Sequence, residues 1–172
     1  MSRFFMGLLA MAMIMIPATG ALAQGSDGLQ GIQSVYVLIQ DLPEELAKDG
    51  LTQEILRKDM EEPILATGLR VLSLEESMEA RPDQGILRLV IMSQPVSENN
   101  RIYAVRLDFR RKVMIAGQPE TQLMASTWQA LDIGMTPIKD MLEIRSAARD
   151  LVSKFAADHS NANPKVPGKS SK

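Results

Sequence analysis

The chain has 172 residues with 19 basic and 21 acidic side chains, a single histidine and no cysteine, for a net charge of −2. That balance excludes the general positive field of a nucleic-acid binder. The missing thiols exclude disulfides, so burial alone must hold the fold, and one histidine cannot supply the several ligands that a transition-metal centre needs.

The first residues carry one positive charge, Arg3, followed by an apolar run from Phe4 to Ile16, then Pro17, Gly20 and Ala21-Leu22-Ala23. This order predicts a signal peptide over residues 1–23, cut between Ala23 and Gln24, because small side chains at Ala21 and Ala23 suit the peptidase pocket. A membrane-spanning helix needs about 20 apolar residues, whereas this run supplies 13. No cysteine follows the cut to carry a lipid, so the expectation is an exported protein, periplasmic or secreted, without stable membrane insertion. Loss of Arg3 with the signal moves the net charge from −2 to −3.

Gln24 to Gly31 is rich in Gly, Ser, Asp and Gln and reads as a flexible lead-in. Its glycines lack the preceding strand and the Lys of a phosphate-binding loop. A single domain is expected over residues 32–158. Ile32 to Ile39 alternates as a strand, with Val35, Val37 and Ile39 on one face and Tyr36 and Leu38 on the other. Pro43 and clustered charges break the pattern over Asp41 to Gly50. A helix is expected from Thr52, which can cap it, while Leu51 and Leu56 have the spacing of a hydrophobic staple. Leu56, Met60 and Ile64 form its buried stripe, Pro63 should kink or tighten it, and Gly68 is a natural C-cap.

Leu69 to Leu74 reads as a short strand, Glu75 to Ala80 as a helical turn, and the strand after the helix suggests a βαβ unit. Three alternating segments follow, Ile86 to Ser93, Ile102 to Met114 and Thr121 to about Ala130, joined by links with the turn residues Asn99-Asn100 and Gly117-Gln118-Pro119. They read as a meander. In its central strand Tyr103, Val105, Leu107 and Phe109 point one way and Arg106, Asp108 and Arg110 the other, which predicts one buried and one polar sheet face. A helix from about Ile138 to Asp158 closes the domain, with Met141, Ile144, Ala148, Leu151, Val152 and Phe155 as its core stripe. The residues from 159 to 172 lack apolar periodicity and read as a disordered tail. The predicted fold class is α+β: a two-layer sandwich in which a mixed five-stranded sheet carries two helices on one face.

This β-α-β-β-β-β-α order resembles in topology the small domains of bacterial envelope accessory proteins, such as the N-terminal domain of the translocation protein TolB. Gly50-Leu51-Thr52, Ser126-Thr127-Trp128, Ile144-Arg145-Ser146 through Asp150-Leu151-Val152, Phe155 and Asn163-Pro164-Lys165 carry a second resemblance. It is to a family of exported bacterial proteins of unknown function, and Pro63 departs from its pattern. The resemblance implies a fold and an envelope address, and no activity.

The available chemistry is sparse. A Ser or Cys nucleophile needs a positioned base, and the single His159 falls in the expected tail as an exposed side chain. The acid pairs Glu44-Glu45, Glu61-Glu62 and Glu75-Glu76 are sequence neighbours, which on a helix do not converge on one site; they read as solvated faces. Trp128 reads as packing, and Met60, Met114 and Met141 as fillers of core gaps. The most suggestive feature is basic. Arg88 on one strand and Arg106 and Arg110 on the next fall on the face away from the helices, with Arg70, Arg111 and Lys112 nearby, and Arg binds anionic groups bidentately. The bland alternative is a solvated sheet face partly neutralised by Asp108.

The expected function is therefore a non-catalytic binding or accessory protein of the cell envelope, with no cofactor, no metal and no nucleic acid, and with an envelope protein or anionic envelope component as partner. Alternatives are a structural subunit of an envelope assembly and a carboxylate-based hydrolase.

Overall fold

The computed structural model describes residues 26–79 and 81–164. The expected signal peptide, its cut at Ala23 and Gln24, and positions 165–172 lie outside the described residues.

The first strand, β1 (Ser34–Ile39), buries Val35, Val37 and Ile39 and leaves Tyr36 and Leu38 half-buried, as its alternation predicts. The charged stretch after it holds a short helix, α1 (Glu44–Lys48), which the sequence pattern does not announce. Its two acids, Glu44 and Glu45, sit in the first turn, where the helix dipole favours them, and Leu46 anchors it in the core.

The next helix, α2 (Gln53–Thr67), starts where expected. The Thr52 hydroxyl accepts the Ile55 N–H at 3.2 Å, Leu51 and Leu56 are both fully buried, and Gly68 ends the helix in the left-handed conformation at φ 91°. Pro63 lies inside α2 and does not end it.

Strand β2 spans only Arg70–Val71, shorter than the alternation suggests. The chain leaves the sheet because Ser73 caps α3 (Leu74–Ser77) with a reciprocal pair of bonds: its hydroxyl accepts the Glu76 N–H at 3.2 Å and its own N–H donates to the Glu76 carboxylate at 2.8 Å. That backbone N–H is the main reason the Glu76 carboxyl titrates below its ordinary range.

The meander consists of β3 (Gln84–Pro95), β4 (Asn100–Ile115) and β5 (Gln118–Pro137). Strand order is β2-β1-β3-β4-β5, with β1 parallel to both β2 and β3 and the other pairs antiparallel. The mixed five-stranded sheet predicted from the sequence is thus the one observed. Between β4 and β5 the register shifts after Phe109, which faces Trp128, so that Arg110 faces Ser126 and Thr127 is the extra residue of a bulge.

The last helix, α4 (Leu142–Ala162), packs with α2 on one face of the sheet. One set of contacts joins the two helices and another joins α4 to the sheet. Arg145 donates two hydrogen bonds to the buried Asp59 carboxylate, at 2.9 and 3.0 Å, with Arg149 3.4 Å away. Phe155 meets the Trp128 ring edge-on at 5.3 Å between centroids and Phe109 at 5.7 Å. The Trp128 Nε1–H donates to Asp158 at 2.9 Å, so the tryptophan is core packing with its polar atom satisfied.

Several expectations need correction. The lead-in is not loose where it is described: Ser26–Leu29 form a 3-10 turn, and Leu29 is 0% exposed in the core. The segment is strapped down by side chains from distant elements. Thr127 donates to the Gly28 carbonyl, Arg111 to the Gln30 carbonyl, and Asn163 both accepts from the Gly31 N–H and donates to the Leu29 carbonyl. The expected tail is helical as far as Ala162, because His159 continues the buried stripe one turn beyond Phe155. His159 is 7% exposed rather than solvated and donates from Nε2 to the Ile32 carbonyl at 2.9 Å. Met114, expected in the core, is 67% exposed, because β4 and β5 run on past the end of β3 and, among the described residues, no third strand or helix covers it.

Candidate binding face

Strand β4 positions the site. Its odd-numbered side chains Tyr103, Val105, Leu107 and Phe109 face α2 and α4, which sends the even-numbered ones to the opposite, open face of the sheet. The register then sets the rows across that face. Arg88 of β3 lies beside Asp108, which lies beside Gln129 of β5; Val90 lies beside Arg106, which lies beside Leu131; Met92 lies beside Ala104, which lies beside Ile133.

The structure brings the three sequence-selected arginines, Arg88, Arg106 and Arg110, onto this one face. Arg88 donates from Nε and Nη2 to the same oxygen of Asp108, at 3.1 and 3.0 Å, and Arg106 Nε stands 3.6 Å from that oxygen. Asp108 is almost completely buried beneath the two guanidinium groups, and its other carboxylate oxygen has no hydrogen-bond partner among the described residues. Lys112 follows Arg110 on the same side of β4, exposed and opposite Met124. Three arginines and a lysine against one aspartate leave the band positive on a protein whose net charge is negative.

Arg70 and Arg111 do not join this band. Arg70 pairs with Glu76 at the far edge strand, and Arg111 turns to the other side of β4, where it donates to the carbonyls of Gln30 and Pro82.

The expectation of a uniformly polar open face is wrong. Beyond the arginines the face is apolar: Met92, Ile102, Leu131, Ile133 and Met135 are all exposed, Ile133 by 67%. Met92, Gln94, Ile102, Ala104 and Ile133 line a shallow hollow there. Sequence reasoning missed this patch because it ended β5 near Ala130, whereas the strand continues to Pro137. The signal was present in Leu131, Ile133 and Met135, which alternate with Asp132, Gly134 and Thr136. Gly134 and Pro137 made the stretch look like a break. Gly134 is required because the Tyr103 ring occupies the space that a Cβ would take.

The acid pairs do not form a site. Glu44 pairs with Lys48, Glu61 with Arg57, and Glu76 caps α3, each on a different helix. Among the described residues no group of three or more His, Asp or Glu side chains is placed to hold a metal ion, and no helix is long and apolar enough to cross a membrane.

No protein-family model and no curated protein sequence matches the chain. Among solved structures, the chain is similar to a minor lipoprotein from Acinetobacter baumannii at 8% identity and a TM-score of 0.33, with 76% of this chain and 90% of that one covered. At that level the likeness carries no inference about fold or function.

Proposed function

We propose that the protein is an exported, non-catalytic accessory protein of the bacterial cell envelope, and that its open sheet face docks a partner protein presenting apolar side chains flanked by carboxylates. The observation that carries this reading is the juxtaposition on one uncovered face of an apolar patch, Met92, Ile102, Leu131, Ile133 and Met135, with a net-positive band of Arg88, Arg106 and Arg110. Exposed apolar surface bordered by polar groups marks an interaction site, and the positive band selects the sign of the partner. The form of the surface favours a protein over a lipid partner. Interfacial membrane elements are amphipathic helices, whereas this patch lies on the open face of a sheet, and methionine and arginine, both present on it, are enriched in protein interfaces. The export reading rests on the order of residues 1–23.

The test is crosslinking in cells with the tagged full-length protein, comparing the unaltered chain with Arg110→Glu/Lys112→Glu. Lys112 is exposed and Arg110 half-buried, and neither forms an ion pair with the buried Asp108, so the variant should fold. The expected result is a protein captured from the envelope fraction by the unaltered chain and lost, by tenfold or more, from the charge-reversed one. Equal capture by both chains overturns the proposal. Binding of the purified protein to phosphatidylglycerol vesicles with no protein captured would replace the protein partner with a lipid surface.

A further inference from the structure

Strand β5 is the last in the sheet, and no other strand pairs with its outer side among the described residues. Natural edge strands are protected by lysines, prolines, bulges, inward-pointing charges or a covering element. On β5 the prolines, Pro119 and Pro137, lie near the termini, and the bulge at Thr127, against which the 3-10 turn packs through Gly28, sits mid-strand. The half of the edge beyond it, from Trp128 to Thr136, carries no lysine or proline and a single charge, Asp132, on the core-facing side. The same stretch contributes Leu131, Ile133 and Met135 to the apolar patch, at the margin of the sheet rather than its centre.

We propose that β5 pairs antiparallel with β5 of a second copy of this chain, about a two-fold axis at Ile133, to form one continuous ten-stranded sheet. The strand is self-complementary in this register. On the open face Ile133 lies opposite Ile133 and each Leu131 opposite Met135, so three cross-strand pairs are apolar; on the other face Asp132 lies opposite Gly134 and Ala130 opposite Thr136. Opposed apolar pairs stabilise a ladder and opposed like charges weaken it. Centring the axis one residue earlier would set Asp132 against Asp132; with the axis at Ile133, Pro137, which has no N–H to donate, falls opposite Gln129 at the end of the ladder, and centring it one residue later would bring the proline inward against Leu131. The pairing joins the two apolar patches into one strip flanked on each side by an arginine band. It rests on the edge and its register, and holds or fails whether or not the face docks another protein.

The chain contains no cysteine, so a single introduced thiol reports cleanly. Across an antiparallel two-fold the Cα atoms of opposed residues stand about 4.5–5.5 Å apart, within the span of a disulfide. The purified Ile133→Cys protein is expected to form a covalent dimer under mild oxidation. Ile102→Cys, one strand inward, is expected to stay monomeric on the same non-reducing gel. Sedimentation of the unaltered protein should give a dimer, and Ile133→Lys, at a solvent-exposed position, should give a monomer with an unchanged circular dichroism spectrum. A monomer for the unaltered chain at about 100 μM overturns the proposal. A dimer that persists in Ile133→Lys and does not crosslink through Ile133→Cys also overturns it, by placing the contact elsewhere.

Discussion

Asp108 shows at the scale of one residue how this face is built. Its carboxylate is buried on a sheet face that otherwise meets solvent, and Arg88 and Arg106 close over it. An ion pair of this kind owes its importance less to Coulomb gain than to the cost of leaving either member alone. Arg88→Ala, which removes both hydrogen bonds from a buried acceptor, is expected to destabilise the protein by roughly 1–3 kcal/mol, read from the urea midpoint at unchanged slope. Adding Asp108→Leu to that variant should return most of the loss, because the uncompensated charge is then gone. If the double variant is no more stable than Arg88→Ala alone, the buried carboxylate is not the source of the loss. The pair was half legible beforehand: alternation along β4 puts Arg106, Asp108 and Arg110 on one face, but which arginine reaches Asp108 depends on the β3–β4 register.

At the scale of the element, α4 carries more than its apolar stripe suggests. The stripe runs through Phe155 and Ala156 to His159, and one turn later Asn163 closes the helix by bonding back to it and outward to Leu29 and Gly31. Reading only hydrophobic residues ends this helix at Asp158, because His159 and Asn163 count as polar. In the fold the His159 Nε2–H meets the Ile32 carbonyl and the Asn163 amide meets the Leu29 carbonyl and the Gly31 N–H, which offsets the burial of those atoms, while His159 Nδ1 is buried with no hydrogen-bond partner among the described residues. Asn163→Ala is expected to release that clasp without unfolding the domain. Amide exchange at Gly31 and Ile32 should accelerate at least tenfold while β1 from Val35 to Val37 keeps its protection, and uniform acceleration across both would show that the clasp is not a separate unit. β5 teaches the complementary lesson. Its second half has the alternation of a strand, but its apolar side chains face away from the core, an arrangement that a search for core stripes discards.

At the scale of the whole molecule, the two ends of the described chain complete one core. Leu29 enters beside Ile32 and the α4 face, so the domain is closed by residues outside its regular βα elements. Leu29→Ala is expected to cost roughly 2–5 kcal/mol, the range of large-to-small changes at buried sites, toward the lower end because a terminal segment can settle into part of the cavity. A thermal midpoint within a degree of the unaltered protein would mean that the lead-in contributes nothing to closure.

The sequence by itself determined the elements whose cause is local. Alternation set β1, β3 and the core face of β4, Thr52 and Gly68 bounded α2, the three-then-four spacing set α4, and turn residues ordered the meander. These suffice to specify an α+β sandwich, because periodicity and capping act within a few residues. Tertiary structure alone decided the strand order, the burial of Leu29 and His159, the pairing of Arg88 with Asp108, and the extension of β5 that places Leu131, Ile133 and Met135 beside the arginines. Each of those depends on what a distant segment brings alongside: a carbonyl for an imidazole, a guanidinium for a carboxylate, a partner strand for an alternating stretch whose apolar side faces solvent.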